Sequence, residues 1–488
     1  MPTDIEGDRD IGLDSPAPSA DRMTFDRWRI LVLLLLAQFM LAVDFSILNV
    51  ALPVIGESLG FTLGNIQWIV TAFALAAAGF TLFFGRLGDY FGRRRLFILG
   101  MVALGVSSLI GGLATNPSIL LAARVAQGLS TAMVTPAALS LLTTSFPEGP
   151  LRDRALGMNG AIMSAGFTTG AILSGVLLDL TGWRWLFFIN VPIALIVAVA
   201  APIFVPRPEE PETKPSLDVA GAILVTSAVL ALVYGVTQLG NNGWDAALGI
   251  EALVASLVLF VAFWLVEKRA AQPLVPLQIL AKRSVLVGNL SGLLAFATET
   301  SLVFLMTLYM QEVLGRSGLV TGLAFAVLGA GTILGGVTAP RVLGRVGNRG
   351  TLMAGFGLQA VATAALILLG PTPDSMILLL VATFLGGIGN MLAIVGFMTA
   401  ATSGLPNHEQ GLATGLATLT QQFGITVGIP VMSAIAAARM LAIAPEETGG
   451  YGQLTILDGI LFAVCVNVAL VALGFLIALL AGRPRTAD

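Results

Sequence analysis

GRLGDYFGRRR, residues 85–95, and PRVLGRVGNRG, residues 340–350, hold the same frame. Gly92 matches Gly347, Arg86 matches Arg341 and Arg94 matches Arg349, each at an offset of 255 residues. Both segments are basic, and each lies between two long apolar stretches. A loop that recurs in this way marks a duplicated unit. How many apolar stretches separate the two copies then decides the architecture.

Those stretches are long enough to cross about 30 Å of hydrocarbon as helices of about 20 residues. Fourteen are expected, at 30–54, 66–86, 95–114, 118–143, 156–179, 186–205, 219–239, 248–266, 284–310, 319–340, 351–370, 375–402, 411–441 and 456–481. A closed barrel would show short alternating segments instead, and in lipid only a helix satisfies its own backbone. The two basic loops follow the second and the tenth span, so they are eight spans apart. Two six-helix halves alone would put them six apart. Eight implies two inserted helices, 219–239 and 248–266, flanked by the polar linkers PRPEEPETKP (206–215) and EKRAAQP (267–273). The expected fold class is therefore an all-α polytopic membrane protein of 14 transmembrane helices, two six-helix bundles with two extra central helices. Its divisions are a disordered tail (1–29), an N-terminal bundle (30–205), the linker and inserted pair (206–283), a C-terminal bundle (284–482) and a short tail (483–488). Parallel halves related by an axis along the membrane normal are one of the known transporter architectures.

Composition narrows the function. Of 488 residues, 56% are hydrophobic and only 11% charged, against about 25% charged in soluble domains. A nucleic-acid binder or a soluble enzyme does not fit. One histidine, His408, and one cysteine, Cys465, exclude multi-histidine or cysteine metal clusters and an intrachain disulfide. The lysines follow Thr213, Glu267 and Ala281, whereas a phosphate-binding loop needs glycine before its lysine. No ATP site of that class, no cofactor and no metal is expected.

Of the 25 Lys and Arg residues, 21 fall in segments that alternate spanning assigns to one side, three (Arg184, Arg316 and Arg439) to the other, and Arg124 within a span. By the positive-inside rule the rich side is cytoplasmic. Both termini are expected there, in a multi-pass protein of the cytoplasmic membrane. The oligomeric state is left open, and a monomer is compatible with this reading.

GRLGDYFGRRR resembles the loop between helices 2 and 3 of the major facilitator superfamily. AVDFSILNVALP (42–53) resembles the first-helix motif of its 14-span drug:proton antiporters. AARVAQGLSTA (122–132) resembles their fourth-helix arginine motif, and GWRWLFFINVP (182–192) the entry to their sixth helix. The resemblance covers residues 28–482 and implies an exporter of lipophilic, cationic drugs or toxic compounds, driven by inward proton flow through alternating access. One motif departs. GFTTGAILSG (166–175) keeps Gly166, Gly170 and Gly175, but Phe167 and Ala171 stand where the family has prolines. The alternative cargo is an endogenous metabolite, lipid, siderophore or antibiotic.

Charges within spans are costly and mark functional positions. Three stand out: Asp44, Arg124 and Glu299. At 1.5 Å per residue, Asp44 lies about 16 Å and Arg124 about 9 Å from the outer ends of their spans. All three are expected to face one central cavity. Burial and a nearby cation act in opposite senses on a carboxylate's proton, so Asp44 is expected to be the main protonation site, tuned by Arg124. Glu299 is expected to be a second proton site or a counter-charge for a cation. The plainer alternative for Asp44 and Arg124 is a folding salt bridge. Asn49, Gln127, Asn289, Phe304 and Gln421 are expected around the cavity, Gln127 because i+3 spacing puts it beside Arg124. Gly85, Gly88 and Gly92 are expected to bare one helix face, and Asp89 to pair with Arg93, forming a latch on the cytoplasmic side. Gly166, Gly170 and Gly175 are expected to let the halves rock, as close-packing small residues do in membranes.

Overall fold

The computed structural model describes residues 23–62, 65–146, 150–205, 219–243, 246–270, 277–402, 405, 407–443 and 451–479. Among these residues the chain is helical and no strand occurs. In order the helices are α1 (Phe25–Ile47), α2 (Leu52–Leu59), α3 (Trp68–Phe91), α4 (Arg93–Gly112), α5 (Pro117–Ser145), α6 (Pro150–Leu180), α7 (Trp185–Phe188), α8 (Asn190–Phe204), α9 (Val219–Asn242), α10 (Ala247–Glu267), α11 (Leu277–Leu280), α12 (Arg283–Leu308), α13 (Gly318–Ala365), α14 (Ser375–Thr402), α15 (Asn407–Ile443) and α16 (Gln453–Leu479). A π-helical turn, Tyr309–Val313, prolongs α12.

Eleven of the described helices are long and apolar enough to cross a membrane. Helices α3 and α6 carry shorter apolar stretches, Trp68–Thr81 and Ala165–Leu180. Helix α13 spans two of the expected crossings. Its backbone kinks at Gly347, where φ is 68°. Gly92, the aligned glycine of the first copy, has φ 99° and separates α3 from α4. Both matched glycines thus occupy a left-handed turn that disfavours a β-carbon. Gly92 sits in this turn and not on a bare helix face with Gly85 and Gly88.

Local chemistry sets several ends. Helix α1 begins at Phe25, inside the stretch expected as tail, because Thr24 caps it by accepting from the Arg27 N–H. Asn116 caps α5 by accepting from Ile119 N at 3.0 Å, and Pro117 occupies its first turn, where the missing N–H costs nothing. The outward faces are apolar: Leu195, Val199 and Ile203 make an exposed stripe along α8, as a lipid-facing helix requires.

Helices α1 and α3–α8 pack on one another, as do α12–α16. Within each group a glycine pair makes an equivalent seam. A β-carbon at Gly166 or Gly170 of α6 would lie 2.8 Å from Phe39 O or Val43 O of α1. One at Gly424 of α15 would lie 2.7 Å from Leu293 O of α12, and Gly428 presses on Ala297. Gly166 and Gly170 therefore join two helices of one half and do not lie between the halves. Gly175 does: a β-carbon there would stand 2.6 Å from Gly318 O of α13.

Arg93, Arg94 and Arg95 open α4, Lys282 and Arg283 open α12, and Arg341, Arg345 and Arg349 flank the Gly347 kink of α13; by the alternation of the helices these turns mark one end of the molecule, the basic end. The joins between halves lie toward the other. Gln311 Nε2 donates to Val50 O at 2.7 Å and Thr426 Oγ1 to Ala74 O at 3.0 Å. The inserted helix α9 touches both groups. Thr226 Oγ1 donates to Gly79 O of α3 at 2.9 Å, Thr237 accepts from Gln67, and Gly240 packs on Ala434 of α15. Its partner α10 lies at the periphery, with 11% of its apolar window buried.

Candidate functional site

Asp44, one turn from the end of α1, is fully buried between α4, α5 and α8. Its Oδ2 accepts from Arg124 Nη1 at 3.4 Å. Its Oδ1 accepts from Gln127 Nε2 at 3.0 Å and from Asn190 Nδ2. Gln127 in turn accepts from Arg124 Nη1 at 2.9 Å and donates to Ser108 Oγ at 2.8 Å. Asn190 also donates to Ser108, at 3.1 Å. Arg124 is anchored by Nε donating to Ile69 O at 2.9 Å. A buried ion pair repays its desolvation only when hydrogen bonds complete the shell; this network supplies most of them, leaving Arg124 Nη2 and Asn190 Oδ1 without a partner among the described residues. An ionised carboxylate, an acceptor at every lone pair, suits these three donors.

The central cavity, about 230 Å³, lies between the two helix groups. Gln38, Phe45, Asn49 and Phe73 line it from one side, and Phe296, Glu299, Asn390, Gln421 and Gln422 from the other. Phe167, standing where the resembled motif has proline, also lines it and packs on Phe45 with ring centroids 6.0 Å apart. Glu299 is the one ionisable side chain among the described residues around this cavity. No hydrogen-bond or ion-pair partner meets it among the described residues.

The geometry separates the three charges that the sequence groups together. Glu299 faces the cavity, whereas Asp44 and Arg124 do not line it. The reason is helix rotation. Ala42, Phe45 and Ser46 of α1, with Asn49 just beyond its end, line the cavity, and Asp44 points the other way, into its own bundle. Phe73 lines the cavity, and the Arg124 guanidinium carbon lies 4.3 Å from its ring centroid, within cation–π range.

Of the residues expected around the cavity, Asn49 and Gln421 line it. Gln127 belongs to the Asp44 network. Asn289 lines a separate apolar crevice beside α9 and α10, where it accepts from Thr420 Oγ1 at 2.7 Å. Phe304 is fully buried and borders a polar space at the far end with Glu312 and Tyr234. Asn190 and Ser108 went unpredicted. Asn190 lies within GWRWLFFINVP, so its position in a motif and a span was the available signal. Ser108 gave none, since a serine in a membrane helix most often bonds its own backbone.

At the basic end, a β-carbon at Gly85 would meet Pro136 at ordinary distance, and one at Gly88 would lie 3.3 Å from Leu96. Arg94 donates to Pro202 O of α8, within the same half. The Asp89 side chain, and with it the expected Asp89–Arg93 pair, lies outside the described residues, as does His408.

Comparison with known proteins gives concordant results. The sequence model of the Major Facilitator Superfamily matches residues 34–429. The chain is 37% identical over 428 residues to the cephamycin export protein CmcT of Amycolatopsis lactamdurans, covering 87% of this chain and 88% of that one. It is 34% identical over 451 residues to the puromycin resistance protein Pur8 of Streptomyces alboniger, covering 91% and 88%. A solved bacterial homolog to the human lysosomal transporter Spinster, inward-facing and unoccupied, superposes with a TM-score of 0.67 over 94% of this chain and 98% of that one. At 16% identity that likeness is one of fold.

Proposed function

This chain belongs to the Major Facilitator Superfamily, and on that premise we propose that it exports lipophilic, cationic, antibiotic-like compounds across the cytoplasmic membrane in exchange for protons. The observation that carries the proposal is the division of labour between two carboxylates, Asp44 buried and Glu299 half-buried at the cavity. Glu299 offers the only charge among the described residues around an aromatic cavity, a natural partner for a cation. Asp44 sits behind the cavity wall, where cargo does not reach it.

Coupling then runs through the wall. Cargo settles against Phe45, Phe73 and Phe167. Arg124 stacks on the Phe73 ring and holds Asp44. When Asp44 takes a proton it loses acceptor capacity, and Arg124 and Gln127 must re-pair. The helices α4, α5 and α8 that carry those partners shift with them. With the basic loops in the cytoplasm, the joins at Gln311–Val50 and Gly175–Gly318 close the outer side. This arrangement is therefore the one that awaits cargo from within. The energy source is the proton gradient, with no ATP and no cofactor.

The test is transport by vesicles with an imposed pH gradient. Wild type accumulates a cationic dye uphill. Asp44→Asn retains downhill exchange and loses uphill accumulation, with correct insertion checked by size exclusion. Uphill accumulation by that variant would remove Asp44 from the coupling step. A second reading, export of a self-made antibiotic or other metabolite, is favoured by the relative named for cephamycin export. Efflux of dyes compared with efflux of metabolite extracts from the same vesicles separates the two.

A further inference from the structure

Next to the central cavity lies a second space of about 20 Å³, room for about one water. Glu299 and Asn390 line both, and Gln359 and Thr383 line the smaller one among apolar side chains. Gln359 and Asn390 are each 2% exposed. Their amide orientations are fixed by what the nitrogens do. Gln359 Nε2 donates to Thr298 Oγ1 at 3.2 Å, and Asn390 Nδ2 donates to Ala295 O at 3.0 Å. Thr298 gives its own hydrogen to Leu294 O at 2.7 Å, so toward Gln359 it only accepts.

Both amide oxygens are therefore aimed elsewhere. Neither Gln359 Oε1 nor Asn390 Oδ1 has a donor among the described residues. Thr383 donates to Leu379 O at 2.8 Å, Thr300 to Phe296 O at 2.8 Å and Ser301 to Ala297 O at 2.6 Å. Buried acceptors without donors are costly and call for a partner. An ionised Glu299 would add acceptors to a group that already has too many. A protonated one brings an O–H.

We propose that Gln359 and Asn390 form a proton-holding pocket that receives the O–H of a neutral Glu299, directly or through one water, until a cargo cation enters. This rests on the exporter reading above. Asp44 is met by donors, whereas Glu299 shares its space with two unpartnered acceptors, so the two carboxylates are built for opposite protonation states. When a cation enters, the Glu299 O–H bond breaks, its electron pair stays on the carboxylate, and the proton passes to cavity water. No other charged group competes among the described residues. Helices α13, α14, α15 and α16 present Gln359, Asn390, Gln421 and Asn467 toward this region, and the opposing half presents Gln38.

Infrared spectroscopy of the full chain in nanodiscs, titrated with pH, tests this. The protonated-carboxyl band of Glu299 is identified by its loss in Glu299→Gln. In Asn390→Leu, and independently in Gln359→Met should the first fail to fold, the midpoint of that band is expected to fall by about one pH unit. That equals a tenfold weaker hold on the proton. A side chain that merely packs would lower thermal stability and leave the midpoint in place. An unmoved midpoint in the folded variants overturns the pocket, as does the absence of any Glu299 band. Substituting H₂¹⁸O shifts a bound-water band if one water intervenes and shifts none if the contact is direct; either supports the pocket. Loss of uphill transport in wild-type vesicles with the band intact would sink the exporter reading alone.

Discussion

Asp44 and Glu299 show how neighbouring chemistry divides one residue type into two roles. Asp44 has three side-chain donors, one of them a guanidinium. Glu299 has none among the described residues and shares a small space with two residues whose amide oxygens lack donors. Phe73, buried, both lines the cavity and stacks with Arg124. Replacing it by leucine keeps the apolar surface and removes the ring's attraction for the cation, about 0.5–2 kcal/mol. Phe73→Leu is expected to move dye downhill at near wild-type rates while uphill accumulation drops several-fold. Equal losses in both assays would assign Phe73 to cargo binding only.

Helices in this protein meet through bare backbone. On α6, Gly166 and Gly170 let α1 approach until side-chain and carbonyl atoms of α1 occupy the place of a β-carbon. Without a hydrophobic drive between helices in lipid, such close contact is what holds them together. Gly170→Val is expected to cost about 1–3 kcal/mol by overpacking, read as a lower melting temperature in detergent. The equivalent contact of Gly424 and Gly428 on α12 carries the same expectation for the second half. Glycine spacing in spans 5 and 13 was legible from sequence. Which neighbour each glycine touches was not, because spacing marks a face but names no partner.

Across the whole molecule, the halves meet at the end away from the basic loops, and α9 bridges them along one side. The inserted pair thus does more than lengthen the chain, since α9 bonds α3 and packs on α15. A wedge at the seam should hold it open. Gly175→Leu is expected to abolish accumulation while the protein stays folded. In a Cys465→Ser background, Asn49→Cys is then expected to react faster with an external, impermeant maleimide when Gly175→Leu is added. Unchanged labelling would mean that α6 and α13 do not form the outer closure.

The sequence by itself determined the helical class, the bilayer as solvent, the duplication and the family. Hydropathy and charge asymmetry are local sums that need no knowledge of contacts. It also marked Asp44, Arg124 and Glu299, because an ionisable side chain in lipid is too costly to be incidental. Only the tertiary structure decided that these three do not share one cavity. That outcome depends on the rotation of α1 about its axis, which sets Ala42 and Phe45 toward the cavity and Asp44 toward Gln127 and Asn190. A helix buried on nearly all sides carries apolar residues all round, and its sequence then holds no signal for which face meets which neighbour.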